Sequence, residues 1–224
     1  RGYTWADIQI GKTPVRFVTT HLESLWDENK VPNAAIQAQQ LIKDLTDTKN
    51  PIVVMGDFNS DPRDPRMPEN PNPGEQPVAS DACPAGTSKC NAYLLMSEAG
   101  FVDAGPDPML PENYSWGMNA LLTGPDATRL KFAKLLGNSA GYTDRLDYVF
   151  SRNGAKAVSS QLIGNKAPKN LNTDHAGIVA TLSINSTVSE RSADLPEHAP
   201  FPISFWQWVG IGFLIAIAAL IYRR

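Results

Sequence analysis

The run Pro51-Ile52-Val53-Val54-Met55 is short, apolar and rich in β-branched side chains, and it stops abruptly at Gly56-Asp57-Phe58-Asn59. A strand with one wet face alternates polar and apolar residues, whereas an unbroken run suits a strand buried on both faces. A buried strand needs material packed above and below it. This constrains the chain to a layered α/β arrangement in which the polar residues after the run stand at the end of a sheet. The rest of the pattern agrees. Residues 3–10 and 14–20 read as strands joined by a turn at Gly11-Lys12. Behind Pro32-Asn33, the residues Ala34, Ala38, Leu41 and Leu45 recur at helical spacing. Ala92–Ala99 reads as a short helix capped by Gly100, and residues 127–136 as another ending at Gly137. Arg145–Ser151 alternates, with Leu146, Tyr148 and Phe150 on one side and Asp147 and Val149 on the other. Residues 177–184 complete the set as a last strand. Residues 61–77 carry six prolines and are expected to form a long surface loop.

The other end of the chain obeys different physics. Ile203 to Tyr222 has no formal charge and a single amide, Gln207. About 20 such residues in a helix span a hydrocarbon core of roughly 30 Å. Trp206 and Trp208 lie near one end and Tyr222 at the other, where interfacial aromatics belong, and Arg223-Arg224 follow at once. The expectation is a single-pass transmembrane helix over 203–222 with a cytoplasmic basic tail, 223–224. The polar, Pro-containing stretch 185–202 would be a linker, and residues 1–184 would form one extracytoplasmic domain. A cleaved glycolipid-anchor signal and a bacterial sorting signal are weaker readings. The terminal arginines oppose the first, and Leu195-Pro196-Glu197-His198-Ala199 lacks the Thr-Gly of the second.

At 42% hydrophobic and 19% charged, with a formal net charge of −3, the chain has an ordinary globular composition and no basic field of the kind that tracks nucleic acid. A metal site would supply positive charge locally instead. Cys83 and Cys90 are the only cysteines, close together in a Pro/Gly-rich loop. Outside the cytoplasm they would pair as a disulfide, with two reduced thiols as the alternative; no histidine lies near enough in sequence to make them a zinc site. Asn113-Tyr114-Ser115 and Asn185-Ser186-Thr187 match the glycosylation acceptor pattern, which frequently arises by chance.

Four segments carry the chemistry: Thr20-His21-Leu22-Glu23, Gly56-Asp57-Phe58-Asn59-Ser60, Arg145-Leu146-Asp147-Tyr148-Val149-Phe150 and Thr173-Asp174-His175. Each places polar groups at or beside the end of an apolar strand. Taken singly they are ordinary: a turn, a structural histidine, a solvent-facing Asp, a loop pair. Together they would gather carboxylates, an amide and two imidazoles at one place. Phosphoester hydrolysis asks for that set. The anionic ester repels a nucleophile, so a hard cation on carboxylate and amide oxygens must offset developing charge. Water needs a base that titrates near neutrality, which suits His, and a carboxylate must hold that His in the right tautomer.

In this order the four segments resemble the second half of the endonuclease/exonuclease/phosphatase superfamily, over about residues 1–184. The resemblance implies a four-layer, two-sheet α/β sandwich of the deoxyribonuclease-I type, of which this chain would supply half. It implies Asp57, Asn59 and Asp174 as metal-site groups, Asp57 alternatively orienting the attacking water, with Mg²⁺ as the ion and Mn²⁺ or Ca²⁺ as alternatives. His21, Asn59 and His175 would contact the phosphate, and Asp147 would buttress His175 as general base or charge stabiliser. Arg145 would set the strand end and take no part in the reaction. The family's first half also supplies an Asn and a metal-binding Glu that have no counterpart here. These 224 residues alone are therefore expected to bind Mg²⁺ poorly and to be inactive, unlike the parent. The substrate would be nucleic acid, on the look of the motifs, or a phospholipid, on the membrane anchor; a phosphomonoester and a non-catalytic anchored ectodomain are further readings. No obligate protein partner is evident.

Overall fold

A computed structural model describes residues 1–23, 32–67, 77–117, 127–166 and 173–185. Arg1–Val188 form one compact unit. The expected transmembrane helix, its basic tail and all of the linker but Asn185 lie outside the described residues, as does the Ser-Thr of the second glycosylation triplet. No helix among the described residues is long and apolar enough to cross a membrane.

The strands are β1 (Tyr3–Ile10), β2 (Thr13–His21), β3 (Ile52–Asp57), β4 (Val102–Asp103), β5 (Asp147–Arg152), β6 (Ala155–Ile163) and β7 (Gly177–Ile184). The helices are α1 (Asn33–Leu45), α2 (Ala92–Glu98) and α3 (Ala127–Leu135). Five strands form a mixed sheet in the order β1-β2-β3-β5-β4, and β6 and β7 pair separately. The β1–β2 hairpin turns at Gly11, whose φ of 62° suits a residue without a Cβ. β2 and β3 run parallel, so α1 must cross over between them, as a parallel pair requires.

α1 lays Ala34, Ala38, Leu41 and Leu45 onto the sheet, the stripe that the sequence shows. They meet Val18, Ile52, Val54, Tyr148 and Phe150 from the strands, Leu22 and Phe58 just past the ends of β2 and β3, and Ala92 and Met96 from α2 in the main core. The alanines let the helix approach the strands closely. On the opposite face of the sheet, Val15, Val53 and Ala155 are buried with Phe17, Met55, Val149, Leu182 and Ile184 against them, so the second sheet covers that face. The order of layers is helices, five-stranded sheet, two-stranded sheet. The unbroken apolar run of β3 follows from this: residues 52–54 are buried because both faces are packed.

The sequence pattern does not predict β6. Its one signal is Asn153-Gly154, whose φ values of 56° and 94° make the tight hairpin-type turn that hands the chain from β5 to the second sheet. The expectation of a surface loop over 61–77 is also corrected in part: Asp61, Asp64 and Arg66 are buried. Residues 68–76 lie outside the described residues.

One glycine is required by the packing of β2 on β3. Gly56 has φ 147°, and a Cβ there would lie 1.8 Å from the Thr20 carbonyl oxygen. Gly56→Ala is expected to destabilise the fold by more than about 4 kcal/mol, since backbone must move aside. Gly11→Ala, where a Cβ meets nothing within 4 Å, should cost only about 1–2 kcal/mol from the positive φ. Urea denaturation of the two variants against the parent checks the contrast; similar losses would contradict it.

Candidate active site

Cross-strand register builds the centre of the site. His21 is the partner of Asp57 across β2–β3, and Asp57 is the partner of Asp147 across β3–β5. Residues in register on adjacent strands share a face. This face is apolar where β6 and β7 cover it, at Phe17, Met55 and Val149, and turns polar where the strands end. His175 comes from the segment before β7, held by backbone pairing with Trp116. The Asp147 Oδ2 and His175 Nδ1 lie at hydrogen-bond distance, 2.9 Å, and His175 Nε2 lies 3.9 Å from Asp57 Oδ2. On the other side, His21 Nε2 is 3.3 Å from the same Asp57 oxygen. Asp57 thus stands between two imidazoles. Asp57, Asp147 and His175 each offer a ligand atom within 4.8 Å of the others.

Of the groups expected at the metal, Asp57 belongs to this trio. Asp174 does not: its Oδ2 accepts from Trp116 Nε1 at 3.2 Å, and its Oδ1 is 4.0 Å from His175 Nε2. Asn59 sits at φ 45°, a left-handed conformation that Asn tolerates. Its backbone N–H donates to Asp57 Oδ1 at 2.8 Å and its Nδ2 to the Leu22 carbonyl at 2.8 Å, so only its Oδ1 is left to accept or ligate. Asn59 therefore also ties the β2 and β3 ends together. Two aromatics of the segment before the site lie differently: Tyr114 is buried under the Arg63 guanidinium, 4.1 Å from the ring centroid, while Trp116 lies beside His175. Cys83 and Cys90 are joined as a disulfide in the loop leading to α2.

The charges at this centre are poised unevenly. Burial, then the Asp147 charge, push the Asp57 carboxyl up to about 6, against the help of the Asn59 N–H and His175. His21 is shifted down, by burial and by the neighbouring Arg1 and His175 charges. The close His21–Asp57 pair is for this reason a neutral imidazole beside a reluctant carboxylate rather than an ion pair. For His175, burial pulls the pKa down, but the Asp147 hydrogen bond and the Asp147, Asp57 and Asp174 charges outweigh it and leave it raised.

Behind the trio lies a buried ionic frame that the sequence pattern does not reveal. Asp61 Oδ2 accepts from Arg63 Nη2 at 2.6 Å and from the Arg145 backbone N–H at 2.8 Å. Arg66 donates to Asp64 at 2.8 Å and to Asp144. Asn91, the N-cap of α2, donates through Nδ2 to the Asp61 and Asp64 carbonyls and accepts Leu94 N–H. The Arg145 side chain is fully buried, with Nε on the Asp147 carbonyl at 2.7 Å and Nη1 on that of Pro106 at 2.9 Å. Its bond to the Asp147 carbonyl ties it to the first residue of β5. Burial, then the neighbouring Asp61 charge, lift Asp64 to about 7 and Asp144 to about 6, while the Arg63 pairing wins over burial at Asp61 and holds it down. The signal available in the sequence is the opposite-charge alternation Asp61-Arg63-Asp64-Arg66.

Residues 2–183 match the family model described as the Endonuclease/Exonuclease/phosphatase family. Among solved structures, a family protein from Leptotrichia buccalis is 18% identical over 81% of this chain and 53% of its own, with a TM-score of 0.47. A mannosyl-6-phosphatase from Bacteroides thetaiotaomicron is 13% identical over 81% and 57%, at 0.45. D. rerio TDP2 complexed with a single-strand DNA product is 16% identical over 81% and 61%, also at 0.45. The chain thus spans a little over half of these solved chains. No curated protein matches it.

Two outcomes are expected. Asp57 ionises at about 6 in the fold and near 3.8 when unfolded, so its charge costs stability as pH rises from about 4 through 6. Asp57→Asn should accordingly stabilise the metal-free protein at pH 7 by about 1–3 kcal/mol, with the gain fading below about pH 4. Urea denaturation at several pH values in chelator reads this, and a variant less stable at pH 7 would contradict it. Arg66→Met should lower stability by about 3–5 kcal/mol at pH 7, because it leaves Asp64 and Asp144 buried without their cation. Thermal unfolding measures the loss; a neutral result would mean that the frame holds nothing.

Proposed function

The chain belongs to the endonuclease/exonuclease/phosphatase family, and from that premise we propose that it is the site-bearing part of a divalent-metal-dependent phosphodiester hydrolase, with nucleic acid as the substrate. The observation that carries this reading is the meeting of Asp57, Asp147 and His175 with ligand atoms within 4.8 Å, from segments that lie far apart in the chain. The donor set fits a hard divalent cation: carboxylate oxygens of Asp57 and Asp147 would hold it, as Mg²⁺ prefers oxygen ligands, and the Asn59 Oδ1 could join them. Such an ion, when bound, supplies the positive charge that lets an anionic ester accept a nucleophile.

The chain's own residues divide the remaining work. Asp147 holds the His175 ring through Nδ1, which turns Nε2 toward Asp57 and the open end of the site to take a proton from water. His21, kept neutral, offers a hydrogen bond to a phosphate or leaving-group oxygen at the other side of Asp57. Asp174 and Trp116 fix the loop from which His175 projects.

The activity is that of a longer parent, since the Asn and Glu that the family resemblance calls for have no counterpart in residues 1–224. The hydrophobic run 203–222 is a single-pass anchor that places the site outside the cytoplasm, on the strength of its length, aromatics and following arginines. That anchor favours a second substrate reading, a sphingomyelin-like phospholipid diester held at the bilayer surface.

The parent protein with Mg²⁺ should nick supercoiled plasmid, and His175→Ala should lower the rate by about 10²–10⁴-fold. Phosphocholine release from sphingomyelin vesicles without nicking would replace the nuclease reading by the lipid one. No turnover of any phosphoester would leave a non-catalytic ectodomain. Mg²⁺ titration of the 224-residue chain should show weak binding beside the parent, and tight binding by the short chain would refute the need for further ligands.

A further inference from the structure

Ser115 is fully buried and every hydrogen-bonding position of its side chain is accounted for. Its Oγ accepts from the Leu146 N–H at 3.1 Å and the Asp147 N–H at 3.2 Å. A hydroxyl oxygen has two acceptor positions and one proton to donate. Two backbone amides can only donate, so they fill the acceptor positions, and the single proton must leave along the remaining contact, 2.7 Å to Asp147 Oδ2. That oxygen is also the one that meets His175 Nδ1 at 2.9 Å. Ser115, itself held by two main-chain amides, thus pins Asp147 Oδ2 where the ionised carboxylate faces Nδ1 and draws the imidazole proton onto that nitrogen. The same residue ties down the flanking backbone: its N–H donates to the Asp144 carbonyl and its carbonyl accepts from Ala176 N–H, each at 2.7 Å. It therefore bridges the start of β5 and the residue after His175.

We propose that Ser115 is a positioning residue that dictates the His175 tautomer, two main-chain amides orienting its hydroxyl so that Nδ1 carries the proton and Nε2 presents the lone pair. This deepens the hydrolase reading and rests on it for its catalytic meaning, but the tautomer itself is a property of the fold. The groups facing the imidazole are Asp147 at Nδ1, Asp57 and Asp174 at Nε2, and the Trp116 ring. Asn113-Tyr114-Ser115, read in sequence as a glycosylation triplet, has its serine hydroxyl committed to this bridge.

The test uses the full chain with ¹⁵N-labelled histidine, whose three imidazoles are assigned with His21→Gln and His198→Gln. At a pH well above the raised His175 value, where the ring is neutral, its two nitrogens report which one is protonated. In the parent and in Ser115→Thr, which keeps the hydroxyl, a single Nδ1–H tautomer is expected. In Ser115→Ala the carboxylate is released and a mixture should appear. An Nε2–H ring in the parent overturns the proposal whether or not the alanine variant folds, and so does a folded Ser115→Ala that keeps one Nδ1–H tautomer. In the active parent protein, Ser115→Ala should lower kcat by about 10–100-fold with KM little changed and Ser115→Thr should restore it. If no phosphoester is turned over, the hydrolase reading fails by itself and the tautomer measurement still decides the role of Ser115.

Discussion

The site depends on Asp61, a carboxylate with no exposed surface. It stands on the loop that leaves β3, and its oxygens take the Arg63 guanidinium and the Arg145 backbone N–H. The two carboxylates that matter, Asp57 and Asp147, sit four residues before it and two after its Arg145 partner. Binding one loop to the other through Asp61 therefore fixes Asp57 and Asp147 face to face, in the register that β3 and β5 also enforce. Arg66 and Asn91 extend the same frame to Asp64, Asp144 and the first turn of α2. A set of buried charges is a poor source of stability, because desolvation consumes most of the Coulomb gain. Its usefulness here lies in geometry: each charged group has one arrangement that satisfies it, and the alternatives leave a bare ion in the core.

The same logic separates what the sequence disclosed from what it did not. Asp57 was legible because an apolar run can only break at a sheet end, and Asp147 because strict alternation put it opposite Leu146, Tyr148 and Phe150. The α1 stripe was legible for the same periodic reason. Asp61, Asp64 and Arg66 were misjudged because proline and charge together read as solvent-exposed loop, and mutual neutralisation across a loop leaves no periodic trace. Ser115 was hidden more deeply, since a hydroxyl's role depends on three partners contributed by residues 31 and 32 positions away. Asn59 stands out in the sequence by its place two residues after Asp57, but nothing there tells that its amide nitrogen bonds the Leu22 carbonyl. The strand β6 escaped because six of its nine residues are exposed and most of its first six are small or polar, so only the Asn153-Gly154 turn announced it.

Charge balance at the site gives the metal-dependent reading its firmest physical support. Asp57, Asp147 and Asp174 converge on His175, and the Asp57 carboxyl is already lifted to about 6 by burial and by Asp147. A phosphodiester brought to this place would add another negative charge. The guanidinium groups around it are committed elsewhere: Arg63 to Asp61, Tyr114 and the Thr143 carbonyl, Arg66 to Asp64 and Asp144, Arg145 to main-chain carbonyls, Arg1 to Glu23 and the Leu22 carbonyl. His21 is held neutral and contributes a donor but no charge. His175, whose protonated form its carboxylate neighbours favour, is the one cationic group left to face the ester in this account, and a hard divalent ion on the carboxylate oxygens is the simplest source of further positive charge. Such an ion would also favour the ionised form of Asp57 and so offset the stability that its burial costs, which makes the strain at Asp57 intelligible as part of a binding site rather than as a defect of packing.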